Sequence, residues 1–159
     1  AARADRSGGF TLEGVGGRAL SDKWDQEFRS LHGMSTRDFP NLFVIGTFRQ
    51  SAGTINVPYS FGDQAEHAAE TIAILLRLGA TRMEVTQAAE DAWTDQCKQK
   101  SRRDLAYLRN CTPGSYNGEG NTENLSLLVD PYGGGPFEYA QLIRDWRTNG
   151  GMKRDLDLA

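Results

Sequence analysis

Residues 31–66, LHGMSTRDFPNLFVIGTFRQSAGTINVPYSFGDQAE, carry the pattern that decides how this chain is built. Asp38-Phe39-Pro40-Asn41 is turn-forming punctuation, and the short, partly β-branched run Leu42, Phe43, Val44, Ile45 predicts a buried strand. Gly46 ends that run. Between Thr47 and Thr54 the chain is polar and contains Gly53, a residue free to take a positive φ where backbone must come close to another group. Asn56 then precedes Pro58, and Phe61, Ala65, Ala68, Ile72, Leu75 and Leu76 repeat at helical spacing. They predict one apolar face running to Gly79, a residue suited to close the helix. A helix therefore starts directly after the loop. Such an end offers N–H groups and a partial positive charge, which suit a phosphate, a carboxylate or the electron-rich edge of a ring. An ordinary strand-loop-helix crossover with no ligand produces the same pattern.

Downstream, Met83 to Val85 predicts a short strand, and Thr86 is a good N-cap for a helix with Ala89, Ala92, Trp93 and Cys97 on one side. Trp93 reads as a core anchor. Lys98, Lys100, Arg102 and Arg103 form a basic cluster, which reads as a solvated helix face or a contact to phosphate. From Thr112 to Gly135, glycines and prolines surround the apolar Leu125, Leu127, Leu128 and Val129, predicting a long loop with one extended segment. Pro136 suits the first position of a last helix bearing Phe137, Tyr139, Ala140, Leu142, Ile143 and Trp146 and ending near Gly150-Gly151. Upstream, Gly14-x-Gly16-x-x-Ala19 fits a dinucleotide-binding spacing. The residues before it are mostly polar or glycine, so no buried strand leads into it, and a glycine-rich turn is expected instead. These signals define an α/β chain, helix-rich, with a few short strands and a long Gly/Pro loop.

With 159 residues, one domain is the ceiling. The charge of −3, from 18 Lys+Arg against 21 Asp+Glu, supplies no basic field for nucleic acid. The longest apolar stretch, Ile72 to Leu76, is far shorter than the roughly 18 to 20 residues that cross a bilayer. The opening AARADRSGG has neither an initiator Met nor the apolar segment of a signal peptide, so upstream truncation or processing is expected. Cys97 and Cys111 have no metal-ligand spacing and form a disulfide only if they meet in space; thiols are the expected state, in an intracellular, cytoplasmic setting. His67 lies near Asp63 and Glu66, where a solvent-facing or helix-packing role is expected rather than metal ligation. No residue has the setting of a catalytic acid, base or nucleophile.

The order of these segments resembles the C-terminal part of the flavin-dependent Baeyer-Villiger monooxygenases. Gly14 to Trp24 is similar to the family's Gly-Arg-Gly-Gly and Leu-x-x-x-Trp stretch. Phe39 to Phe43 matches its Phe-Pro-Asn-Leu-Phe strand, and Ser51-Ala52 its Ser-rich loop. Asn56-Val57-Pro58 matches its Asn-Met-Pro-like helix start, Gly79 to Thr86 its Gly-x-x-x-x-Glu-x-Thr strand, and Glu90 to Trp93 its Glu-Ala-Trp helix. The resemblance implies the C-terminal part of a Rossmann-like FAD-binding domain. Residues 1–30 would connect back to that domain, and residues 31–159 would form its C-terminal portion with a closing loop and helix. It further implies FAD and NADPH as cofactors, with Gly46, Gly53, Thr54, Asn56 and Val57 at the flavin and Gln50, Ser51 and Ala52 lining the substrate side. The reaction implied inserts one oxygen atom from O2 into a ketone or other carbonyl, with the dinucleotide fingerprints supplied by the rest of the enzyme in the same or a partner chain. Two departures stand out: Phe48-Arg49-Gln50 replaces a Gly-Ser-Pro-like run, and Ser115-Tyr116-Asn117-Gly118 keeps only part of a Trp-Tyr-x-Gly-Asn-like sequence. An N- or S-oxidising flavin monooxygenase, and a non-catalytic binding module that keeps part of a flavoenzyme fold, remain open alternatives.

Overall fold

A computed structural model describes residues 10–25, 27–46, 50–52, 56–100, 110, 112–114 and 131–159. A 3-10 turn at Val15–Gly17 leads to the short helix α1, Leu20–Lys23. The long helix α2 spans Val57–Arg77, strand β1 Met83–Val85 and helix α3 Gln87–Lys100. Helix α4, Pro136–Thr148, is followed by α5, Gly151–Asp155, and strand β2, Leu156–Leu158.

Several elements form where local chemistry places them. Asn56 caps α2 by accepting the Tyr59 N–H at 3.2 Å, with Pro58 in the first turn where it has no backbone N–H to lose. At the other end Gly79 sits at φ 73°, donating to the Leu76 carbonyl while Ala80 donates to that of Leu75. That paired pattern needs a left-handed residue and stops the helix. Thr86 caps α3 through Ala89 N at 3.2 Å. The glycine-rich stretch is a turn, as expected: Gly16 and Gly17 have φ of 73° and 77°. A Cβ on Gly14 would sit 2.3 Å from the Asp38 carbonyl, so glycine lets this turn pack onto the 38–39 turn.

Two expectations are corrected. Leu42–Ile45 is not a strand, and its side chains are half-buried or exposed rather than buried. A strand exists only against a neighbour. The one sheet among the described residues is β1 with β2, antiparallel, with Met83 opposite Leu158 and Val85 opposite Leu156. Segment 42–45 is anchored instead by Val44 N donating to the Met34 carbonyl at 2.7 Å. The pairing strand β2 falls beyond the point where the last helix was expected to end.

The second correction concerns α2, whose buried stripe is Ser60, Gln64, His67, Thr71 and Leu75. Of the apolar face read from the sequence, Phe61, Ile72 and Leu76 are exposed, Leu76 at 70 %. Periodicity identifies a face but not the neighbour that covers it. Gln64 and His67 turn inward where they find hydrogen-bond partners, which offsets the penalty of burying them, while the buried Thr71 hydroxyl has none among the described residues.

The core gathers Leu31, Val85, Trp93, Cys97, Tyr132, Tyr139, Ile143 and Trp146. Trp93 is the anchor its sequence setting predicts: it stacks on Tyr132 at 5.1 Å, and its Nε1 donates to the Gln50 carbonyl at 3.0 Å. Beneath α3 a charged group is also buried. Glu90 accepts from Lys23 Nζ at 3.0 Å, from the Thr36 hydroxyl at 2.6 Å and from Arg37 N at 2.9 Å, tying α1 and the 36–37 turn to α3.

The two histidines meet in space, with ring centroids 5.6 Å apart between α2, the 31–35 turn and Trp146. His67 is buried rather than solvent-facing and packs α2 against α4. Its Nδ1 lies 2.7 Å from an Arg147 guanidinium nitrogen, and because Arg can only donate, Nδ1 must be the accepting, unprotonated nitrogen. The other face of that guanidinium pairs with Glu70 at 2.7 Å. Burial, then the Arg147 charge, push the His67 pKa down to about 3. Burial pushes His32 down as well. A histidine that is neutral when folded binds its proton more readily unfolded, so this contribution is complete above the ordinary pKa of about 6.5 and is lost as pH falls. Stability is expected to fall between pH 6.5 and 3 with a slope of up to about 1.4 kcal/mol per pH unit for His67, read by urea denaturation across that range. His67→Phe removes this titration and should flatten the slope.

Candidate functional site: the loop before helix α2

The segment from Gly46 to Val57 brings a pinned loop to the start of a 21-residue helix. Gly46 is held from both sides by one buried amide. Its N–H donates to Gln64 Oε1 at 2.9 Å, and its carbonyl accepts from Gln64 Nε2 at 2.8 Å and from the Ser51 hydroxyl at 2.7 Å. Gln64 is completely buried, and its Nε2 also reaches Ser60 Oγ at 3.3 Å. The polar stripe of α2 thus fixes where the loop leaves the 42–45 segment.

Gln50 is the second fixed point. It adopts φ 59°, a left-handed conformation that a non-glycine residue holds only when its surroundings determine it. Its amide accepts from Ser30 Oγ at 2.7 Å and donates to the Phe28 carbonyl at 2.8 Å and to Thr94 Oγ1 at 3.1 Å. The Ser51 carbonyl accepts from Tyr132 N at 3.0 Å.

The residues expected at the flavin and substrate fall into three groups. Asn56 is exposed, Val57 half-buried, and a Cβ built on Gly46 meets no described residue within 4 Å. Gln50, Ser51 and Ala52 are buried, and the side-chain bonds of Gln50 and Ser51 run into this chain. Gly53 and Thr54 lie outside the described residues. Of the basic cluster, Lys98 pairs with Glu27 at 2.5 Å, and Lys100 with Glu138 and, at 2.9 Å, the Tyr132 hydroxyl. Arg102, Arg103 and the 115–118 stretch are outside the described residues. Sequence reasoning missed Gln64. Its available signal was position: it lies four residues after Ser60 and three before His67 on a polar stripe next to the apolar one.

The exposed start of α2 carries no acidic residue in its first turn and suits the polar, electron-rich edge of a planar ring. Gln64 sets the geometry. Gln64→Leu, close in volume, leaves the Gly46 N–H without its acceptor, and a loss of about 1–3 kcal/mol in urea denaturation is expected. Ser51 still serves the carbonyl, so the effect should stay below that of a core deletion.

No protein-family model matches the chain. Its fold nevertheless recurs in flavin-dependent monooxygenases. The polycyclic ketone monooxygenase from Thermothelomyces thermophila superposes with a TM-score of 0.82 at 27 % identity, covering 99 % of this chain and 25 % of that one. A cyclohexanone monooxygenase from Rhodococcus sp. Phi1, solved with NADP+, gives 0.77 at 26 % identity over 97 % of this chain and 28 % of that one. In sequence, pentalenolactone D synthase from Streptomyces arenae is 36 % identical over 144 residues, 91 % of this chain and 24 % of the relative. A Baeyer-Villiger monooxygenase from Streptomyces coelicolor is 34 % identical over 142 residues, 89 % of this chain and 23 % of the relative. The chain is similar to a portion of the Baeyer-Villiger type flavin monooxygenases, and it spans about a quarter of the length of the curated relatives it matches.

Proposed function

We propose that this chain is the C-terminal part of an FAD- and NADPH-dependent monooxygenase that inserts one oxygen atom from O2 into a ketone. Residues 1–30 would return to the FAD-binding domain and residues 31–159 would complete it. The observation that carries the reading is the exposed first turn of α2 at Asn56 and Val57, with the loop that leads to it pinned by Gln64 and Gln50. Relatives named as FAD-binding and Baeyer-Villiger monooxygenases support it.

FAD, when bound, supplies the redox chemistry with NADPH and O2. Gly46, Asn56 and Val57 would hold the polar edge of its ring system, with Gly53 and Thr54 completing the approach. The α2 terminus places positive potential where the ring gains electrons, and its fixed peptide groups need no rearrangement to do so. Gln50, Ser51 and Ala52 would form the substrate-side wall through their backbone, since the side chains of Gln50 and Ser51 are committed inward and hold the wall rigid. The exposed Phe61, Ile72 and Leu76 stripe supplies apolar surface for packing against the remainder of the enzyme.

The test uses the full-length protein. A yellow preparation that oxidises NADPH only when a cyclic ketone is added, and releases the lactone, is the expected result. A protein that stays colourless with added FAD overturns the reading. Asn56→Ala, which removes a cap worth about 1 kcal/mol, should weaken FAD retention with little change in ketone preference.

A further inference from the structure

On the side of the core formed by α3, α4 and α5 lies an open cavity of about 610 Å³, bordered by none of Gly46, Asn56 and Val57. Its walls include Leu31, His32, Ala92, Trp93, Leu142 and Trp146. His32 is 4 % exposed, and no described residue makes a hydrogen bond to either of its ring nitrogens. Its backbone adopts φ 57°, and its carbonyl is held by the Tyr139 hydroxyl at 2.6 Å. The ring stands edge-on between Trp93 and Trp146, with centroids 4.9 and 5.1 Å away and both at 86°. The His32 ring nitrogens are not among the buried polar atoms cut off without a partner, so they are reachable from the open cavity that His32 lines, where an entering group can bond to them.

We propose that this cavity is a binding site for an uncharged, flat aromatic molecule carrying one hydroxyl or N–H group, which hydrogen-bonds to His32 while its ring packs on Trp93 and Trp146. The volume falls in the range of small-molecule pockets, and two indoles with one convergent polar group are the usual makings of such a site. Both Asp155 oxygens pair with Arg154 at 2.7 Å, while Asp145 only accepts from the neutral Gln141 amide at 2.9 Å. The residual negative charge at the rim disfavours an anionic ligand. Burial keeps the His32 imidazole neutral, so it can either accept from or donate to the bound group. Trp93 also donates to the Gln50 carbonyl, so one side chain borders both this cavity and the loop before α2.

The experiment is isothermal titration of the full-length protein, without NADPH, with 2-naphthol and with 2-methoxynaphthalene, which keeps the ring but loses the donor. Saturable binding of 2-naphthol is expected, weakened about threefold or more in the methoxy analogue, as loss of one hydrogen bond to a buried group predicts. Ala92→Trp fills the cavity from an exposed helix position and should weaken binding at least about tenfold with flavin absorbance unchanged; Ala88→Trp is the second filling variant, should the first fold poorly. Absence of saturable binding, equal affinity for the two naphthalenes, or affinity unchanged in a folded filling variant each overturns the proposal.

Discussion

Glu90→Ala is expected to cost about 3–5 kcal/mol of folding stability, because it strands a buried ammonium. Lys23 and Glu90 have side chains only 6 % and 2 % exposed. Removing the carboxylate leaves Lys23 with the Arg37 carbonyl at 2.6 Å as its remaining partner, and deprives Thr36 and Arg37 N of their acceptor. The loss reads directly in the urea midpoint. Glu90→Gln keeps an acceptor for Thr36 and Arg37 N and should cost less. The decisive comparison is the double variant Lys23→Met with Glu90→Leu. Replacing a buried pair by apolar residues of similar volume is often neutral, so the part of the loss due to the stranded ammonium should return, leaving the cost of the Arg37 N–H and Thr36 hydroxyl that lose their acceptor. A double variant as unstable as Glu90→Ala would show that packing and the lost acceptor, not the stranded charge, set the cost.

Trp93→Ala should lose a similar amount, about 3–5 kcal/mol, through a different mechanism. The deletion opens a void beside Tyr132 and His32 and removes the hydrogen bond that holds the Gln50 carbonyl. Since Gln50 keeps a left-handed backbone only under constraint, the loop before α2 should relax together with the core. Two measurements separate these effects in the full-length protein. Thermal melting reports the void, and flavin retention reports the loop. Trp93→Phe keeps the ring stacking but not the donor, so it should cost less stability, about 1–3 kcal/mol, while still loosening the loop. Flavin retention unaffected in both variants would sever the proposed link between Trp93 and the loop.

Local signals were legible where the physics is local. Asn56 and Thr86 cap their helices, Gly79 ends α2, Pro136 opens α4 and Met83–Val85 is a strand, because each depends on residues within one or two turns. The glycines at 14–17 make a turn for the same reason. The apolar run 42–45 was misread because strand formation depends on a neighbour absent from the same stretch of sequence. The α2 face was misread for a related reason: a helix with an apolar stripe and a hydrogen-bonding polar stripe can bury either, and the surroundings choose. Gln64, His67 and Glu90 look like ordinary surface residues in the sequence. They are buried because Gly46, Arg147 and Lys23, each distant along the chain, meet them with complementary groups.

By itself, the sequence determined the order of turns, caps and helix starts, since backbone geometry at a cap or a glycine is set by the residues that form it. Only the tertiary structure decided which stripe of α2 faces inward, that His32 and His67 lie side by side, and that two glutamines lock the loop before Asn56. Those outcomes follow from burial and hydrogen-bond satisfaction between segments far apart in the chain, where periodicity carries no information about partners.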